Sequence, residues 1–96
     1  MKIFTIGRKD ADIVLTDQQQ QVSRLHAELT IADDGSYYLT DCGSSNGTFV
    51  KRNNEWEPIR QEYVQSTDEI RFGGHYETTV RELVRQSEPA LTMMRN

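Results

Sequence analysis

The feature that most constrains this fold is an alternation of apolar and polar residues with a period of two. It is clearest over residues 25–31, whose apolar members are Leu25, Ala27, Leu29 and Ile31. Successive side chains of a β-strand point to opposite faces, so this pattern predicts a strand with one buried face. Similar short runs recur along the chain, at residues 2–6, 11–15, 37–40, 48–50, 61–64, 69–72 and 76–84.

Turn signals separate these runs at intervals of about eight to twelve residues, which is typical of all-β sandwiches and barrels. Asp33-Asp34-Gly35 predicts a hairpin turn, and Pro58 restricts any strand near Trp56 to a sheet edge or a bulge. No run predicts an amphipathic helix of ten residues. The sequence therefore predicts an all-β domain over residues 1–84, with residues 85–96 as a flexible C-terminal tail or linker.

Charge and composition argue against several classes of function. The chain carries 15 acidic and 11 basic residues, a net charge of -4, whereas proteins that bind nucleic acid without sequence preference are basic. His26 and His75 have no cysteine or second histidine at the spacing of a zinc site, so no metal or cofactor is expected. Cys42 is the only cysteine, which favours a reducing, cytoplasmic setting. No apolar segment approaches the ~20 residues of a membrane span, so no membrane insertion is expected.

Three polar breaks between the strand runs carry side chains suited to one ligand. They are Gly7-Arg8, Ser23-Arg24-Leu25-His26 and Ser44-Ser45-Asn46-Gly47-Thr48. A phosphorylated side chain carries about -1.5 to -2 charge near neutral pH and three strong acceptor oxygens. Arginine offers it a planar fork of donors, serine adds a hydroxyl, and asparagine can pair with a peptide's own C=O and N–H. If the three loops converge, they predict a site for a phosphate attached to a peptide.

The sequence resembles the forkhead-associated (FHA) domain family over about residues 2–84. Five blocks carry the resemblance in the family's order, namely residues 4–8 (FTIGR), 12–15 (DIVL), 22–27 (VSRLHA), 39–50 (LTDCGSSNGTFV) and 68–73 (DEIRFG). The resemblance implies a two-sheet β-sandwich with the binding loops at one end. It also implies a non-catalytic module that binds phosphothreonine peptides in signalling.

The resemblance assigns roles to individual residues. Arg8 is expected to hold the phosphate or the peptide backbone, Ser23 and Arg24 the phosphate, and Asn46 the peptide main chain, with Ser45 beside the phosphothreonine. The residues expected to support the site are Gly7, His26 and Gly47. The implied partners are a phosphothreonine-containing protein or peptide and a Ser/Thr protein kinase or its substrates, and the isolated domain is expected to be a monomer.

Other interpretations of the same residues stay open. Asn46-Gly47 is also the strongest hairpin-turn dipeptide, and Cys42 is expected to be a packed residue beside the turn. Ser23 with His26 admits a hydrolase, although no Gly-x-Ser-x-Gly elbow accompanies them.

Two segments depart from the family pattern. Residues 18–21, all glutamine, lengthen the loop before Ser23, which leaves open whether Ser23 keeps its position. This loop also favours the alternative of an FHA-fold assembly domain that binds unphosphorylated partners. Lys51 and Arg52 stand where the family commonly has Asn-Gly, and they either contact acidic residues beside the phosphothreonine or remain solvated.

Overall fold

Two β-sheets packed face to face form the body of the protein, as the resemblance to the FHA family implied. The computed structural model describes the backbone of residues 1–93 and the side chains of residues 1–88. The strands are β1 (Lys2–Gly7), β2 (Ile13–Val14), β3 (Ala27–Ile31), β4 (Tyr37–Asp41), β5 (Thr48–Arg52), β6 (Glu55–Ile59), β7 (Gln61–Val64), β8 (Glu69–Phe72) and β9 (Tyr76–Thr79), and the helix α1 is Val80–Met93.

The order of the strands gathers five connections at one end of the sandwich. One sheet has the order β2-β1-β3-β4-β7 and the other the order β6-β5-β8-β9. β1 and β2 pair in parallel, and the other neighbours pair antiparallel. Because β1, β4, β6 and β8 end where β3, β5, β7 and β9 begin, residues 8–12, 15–26, 42–47, 60 and 73–75 all lie at that end.

The apolar faces of the strands meet between the two sheets. Ala27 and Leu29 of β3 and Ile70 of β8 are fully buried, as period two requires. The predicted hairpin is present as β3 and β4, and Pro58 lies on β6, an edge strand. Leu25 differs from its prediction: the strand begins at Ala27, and Leu25 is 48% exposed.

The C-terminal helix shows that one expectation was wrong. The last strand ends at Thr79 rather than at residue 84, and an α-helix follows. The Thr79 hydroxyl accepts the N–H of Glu82 at 3.2 Å, and Thr79-x-x-Glu82 is the sequence of a capping box. Val80 and Leu83 are fully buried, because residues three positions apart share a helix face.

Helix α1 is attached at the end of the sandwich away from the gathered loops. The N–H groups of Val80 and Arg81 donate to the carbonyls of Asp68 and Ser66 at 3.0 and 2.9 Å. The helix crosses the predicted boundary between residues 84 and 85, and the division into domain and tail stays a prediction. Residues 94–96 of that tail lie outside the described residues. Within residues 1–93, no helix is long and apolar enough to cross a bilayer.

Candidate functional site

The candidate site begins where the loop before β3 lies against the end of β1. A Cβ atom on Gly7 would lie 1.6 Å from the carbonyl oxygen of Arg24, so only glycine admits this approach. Arg8 donates its backbone N–H to the carbonyl of Ser23 at 3.0 Å and its side-chain Nε to the carbonyl of Val22 at 3.0 Å. The half-buried Arg8 side chain is therefore anchored through Nε, which leaves its two Nη groups for a ligand.

A buried carboxylate, that of Asp17, fixes the glutamine loop that precedes Ser23. The Asp17 side chain is 1% exposed and accepts the N–H groups of Gln19, Gln21 and Val22 at 3.1, 2.7 and 2.8 Å. Burial raises the pKa of Asp17, but its hydrogen bonds outweigh that effect and hold the pKa below its usual value. Ser23 therefore follows an anchored segment, despite the added length of the loop.

A second aspartate, Asp41, organises the loop between β4 and β5. Its Oδ1 accepts the hydroxyls of Ser44 and Thr48, each at 2.6 Å, and its Oδ2 accepts the N–H groups of Gly43 and Ser44, each at 3.1 Å. Burial raises the pKa of Asp41, yet these bonds lower it overall. The loop ends at Gly47, whose φ of 88° lies in the left-handed region. These bonds within the chain define the shape of the loop.

His26 joins the two loops from inside the domain. Its ring is fully buried and stands edge-on to Phe72, with 5.3 Å between the ring centroids. Nδ1 accepts the N–H of Ser23 at 3.0 Å, and Nε2 donates to the carbonyl of Gly47 at 2.8 Å. Because a carbonyl can only accept, this arrangement assigns the neutral Nε2–H form. Burial lowers the pKa of His26, which agrees with an uncharged ring.

The predicted ligand residues meet at the junction of the two loops. Ser45 donates its N–H to the Ser23 hydroxyl oxygen at 3.2 Å, and Asn46 donates its Nδ2 to the carbonyl of Gln21 at 2.9 Å. The Arg24 side chain is exposed, and none of these loop-to-loop bonds comes from it. The structure therefore fixes Arg8, Ser23, Ser45 and Asn46 by hydrogen bonds to neighbouring loops, while Arg24 follows Ser23 in the same loop.

The basic pair Lys51 and Arg52 lies at the other end of β5, away from this cluster. Arg52 pairs with the carboxylates of Glu62 and Asp68 at 3.1 and 2.9 Å, and Lys51 lies 3.9 Å from that of Glu69. The pair is thus engaged within its own chain. Its position does not support contact with acidic residues beside a phosphothreonine.

The two aspartates that hold the loops were not among the predicted site residues. Both stand near the start of a loop, where an Asp side chain can bond N–H groups that follow it in sequence. That signal is present in the sequence, because Asp17 precedes the four glutamines and Asp41 precedes Cys42-Gly43-Ser44. Within the part of the chain that the structure describes, no group of three or more His, Cys, Asp or Glu residues is arranged to hold a metal ion.

The protein is a β-sandwich of two sheets, and hydrogen bonds join the polar loops at one of its ends. This arrangement defines a recognition domain. The family model of the FHA domain matches residues 4–73. The chain belongs to the FHA domain family, which confirms the prediction from the five sequence blocks.

Several proteins are similar to this chain. The oxoglutarate dehydrogenase inhibitor of Corynebacterium diphtheriae is 44% identical over 70 residues, which cover 72% of this chain and 44% of the relative. The chain thus spans less than half the length of the curated relatives it matches.

Solved structures of FHA domains share the fold. A domain from a structural and functional analysis of phosphothreonine-dependent FHA domain interactions has a TM-score of 0.66 and 37% identity, covering 80% of this chain and 73% of the other. Mycobacterium tuberculosis EmbR in complex with a low-affinity phosphopeptide has a TM-score of 0.65 and 34% identity, covering 80% of this chain and 19% of that one.

Proposed function

We propose that this domain binds phosphothreonine-containing segments of partner proteins and performs no catalysis. The observation that carries the proposal is the convergence of Arg8, Ser23 and Asn46 at one loop junction, each fixed by a hydrogen bond to a neighbouring loop. A cation, a hydroxyl and an amide at one place match a dianionic phosphate attached to a peptide main chain.

The bonds within the chain leave complementary groups for such a ligand. Arg8 uses Nε internally, so its two Nη groups suit two phosphate oxygens. The Ser23 oxygen accepts an internal N–H, which leaves its hydrogen for a third oxygen. Asn46 uses Nδ2 internally, so its Oδ1 suits a main-chain N–H of the peptide. Arg24, exposed beside Ser23, adds positive charge.

In the alternative of a hydrolase built on Ser23 and His26, His26 is not available as the general base. Both ring nitrogens of His26 are engaged with backbone groups, Nδ1 with the N–H of Ser23 and Nε2 with the carbonyl of Gly47. Neither is aimed at the Ser23 hydroxyl, which a nucleophile–base pair requires. We expect no labelling of Ser23 by a serine-reactive phosphonate.

A regulatory role in signalling follows from this recognition. A Ser/Thr protein kinase or its substrates would supply the phosphothreonine, and we place the encounter in the cytoplasm with this domain as a monomer. The similarity to an inhibitor of oxoglutarate dehydrogenase supports a regulatory partner protein. The net charge of -4 argues against nucleic acid as the partner.

Titration with a degenerate phosphothreonine peptide library and its unphosphorylated counterpart tests the proposal. We expect micromolar binding of selected phosphopeptides, on the order of -8 kcal/mol, and a loss of about tenfold or more in Arg8→Ala. Arg81→Ala is the matched control, because it removes the same charge from an exposed position on α1. Binding that survives phosphatase treatment would instead support an assembly domain for unphosphorylated partners, and phosphopeptide binding that survives Arg8→Ala would contradict the proposed site.

A further inference from the structure

Gln21, the last of the four glutamines, connects segments that lie far apart in sequence. Its main-chain carbonyl accepts the side-chain Nδ2 of Asn46 at 2.9 Å, and its own N–H donates to Asp17 at 2.7 Å. Its side-chain Oε1 accepts the N–H of Gly74 at 2.9 Å and lies 3.1 Å from Nδ1 of His75. One residue thus ties the candidate ligand residue Asn46 to the turn between β8 and β9.

The surroundings of His75 define its protonation. The backbone N–H of Gly74 can only donate, so it fixes the Gln21 amide with Oε1 toward both Gly74 and His75. Nδ1 of His75 must therefore carry a hydrogen. Its Nε2 lies 2.8 Å from a carboxylate oxygen of Asp17, which is likewise an acceptor. Histidine carries hydrogens on both nitrogens only as the imidazolium, so this geometry belongs to protonated His75.

We propose that Gln21 is a positioning residue for the phosphothreonine-peptide site and that protonated His75 clamps it in place. The inference rests on the proposed function. By holding Nδ2 of Asn46, the Gln21 carbonyl turns Oδ1 of the same amide toward the ligand. The next residue, Val22, accepts Nε of Arg8, so one short backbone segment sets both the phosphate-binding and the main-chain-binding side chain.

The turn that carries His75 is packed closely against Gln21. A Cβ atom on Gly73 would lie 2.9 Å from the carbonyl oxygen of Gln21, and Gly73 donates its N–H to the carbonyl of Gly47 at 2.9 Å. Among the described residues, Asp17 is the charged side chain that pairs with His75. Loss of one His75 proton therefore removes a bond either to the buried Asp17 or to Gln21.

Two matched variants test the positioning role of Gln21. Gln21→Ala removes the bonds to Gly74 and His75, whereas Gln18→Ala makes the same change at an exposed position of the same loop. The probe is the tightest peptide selected from the phosphothreonine library with the wild-type domain, measured by calorimetry at pH 6. We expect binding about 5–20-fold weaker in Gln21→Ala and less than about twofold weaker in Gln18→Ala.

The pH dependence separates the clamp from a merely structural role of His75. The ratio of the Kd of His75→Gln to that of the wild type is measured from pH 5.5 to 8.5 with the same peptide. Titration of the phosphate, whose second pKa is about 6, cancels in this ratio. We expect the ratio to be largest at low pH and to fall as the wild type loses the His75 proton. A ratio independent of pH overturns the clamp.

The outcomes distinguish this inference from the proposed function. If the wild type binds in an Arg8-dependent way and Gln21→Ala equals Gln18→Ala, the positioning role is wrong and the proposed function stands. If the wild type binds no member of the phosphothreonine library, the proposed function fails and this inference fails with it. If Gln21→Ala does not fold, the pH profile of His75→Gln decides the matter.

Discussion

Replacing Gly7 with alanine tests how closely the loop before β3 must approach β1. The added Cβ would lie 1.6 Å from the carbonyl oxygen and 2.6 Å from the carbonyl carbon of Arg24. Both are backbone atoms, so no side-chain rotation relieves the overlap. Because such contacts under 3.0 Å essentially never occur, the two segments must part by about 1.4 Å.

That displacement takes the flanking hydrogen bonds out of range. They join Arg8 N–H to the Ser23 carbonyl at 3.0 Å, His26 N–H to the Ile6 carbonyl at 2.8 Å, and Arg8 Nε to the Val22 carbonyl at 3.0 Å. A hydrogen bond contributes about 0.5–1.5 kcal/mol net, and a buried group left unpaired costs about 1–3 kcal/mol. At about 1–3 kcal/mol for each group left unpaired, losing two of these three bonds lowers the free energy of unfolding by about 2–6 kcal/mol, out of about 5–15 kcal/mol for a typical domain.

Urea unfolding of Gly7→Ala beside Gly35→Ala measures this effect. Nothing lies within 4 Å of a Cβ on Gly35, whose φ is +89°, so alanine there costs only the strain of a left-handed backbone, about 1–2 kcal/mol. We expect Gly7→Ala to lose more stability, together with its phosphopeptide affinity. A loss at Gly7 below about 1 kcal/mol, or no larger than that at Gly35, would refute the reasoning.

Three further experiments test Asp17 and Cys42 near the site and the cap of helix α1 at the opposite end of the sandwich. Asp17→Asn is expected to lose about 2–4 kcal/mol at pH 7 in urea unfolding, because charged hydrogen bonds to backbone N–H groups are removed. Since the folded pKa of Asp17 is lowered, its contribution to stability is present above about pH 4 and is lost as the pH falls through the folded pKa. The difference in the free energy of unfolding between Asp17→Asn and the wild type should therefore narrow in acid, and a constant difference contradicts this. Thr79→Ala removes the cap of α1 and should lower stability by about 0.5–2 kcal/mol; circular dichroism with unchanged helix content and melting temperature contradicts it. Burial raises the pKa of the Cys42 thiol, so a thiol-reactive disulfide reagent should modify the folded domain at pH 7.5 more slowly than the urea-unfolded chain, and equal rates refute that expectation.

Alternation predicts the strands because it is a local property of the chain. β3 and β8 each present every second residue to the core. A strand with one buried and one solvent-exposed face has alternating apolar and polar residues in its sequence. Helix α1 was not predicted because its start fits two patterns. Tyr76, Thr78 and Val80 continue the alternation of a strand, whereas Val80, Leu83 and Val84 fit one face of a helix. The carbonyls of Ser66 and Asp68, which receive the first helical N–H groups, come from a distant turn and leave no local signal.

The identities of the candidate ligand residues follow from the sequence blocks, but the hydrogen bonds that hold them in position do not. The glutamine loop looked loose in sequence although Asp17 precedes it, because an aspartate at the start of a loop does not by itself show that its side chain is buried and bonds the N–H groups of Gln21 and Val22. Its partner His75 lies 58 residues further along the chain. Contacts of this kind depend on the folded arrangement of both sheets, which residue pattern alone does not specify.

The bonds that assemble the loop junction link His26 to Gly47, Gln21 to Asn46 and Asp17 to His75, across 21, 25 and 58 positions of chain. Contacts between distant positions carry a loop-closure entropy and form slowly. No short fragment of this protein can therefore carry the whole junction, and a chain emerging from the ribosome completes it only after His75 has emerged. A ligand that recognises the junction stabilises the entire folded domain against unfolding.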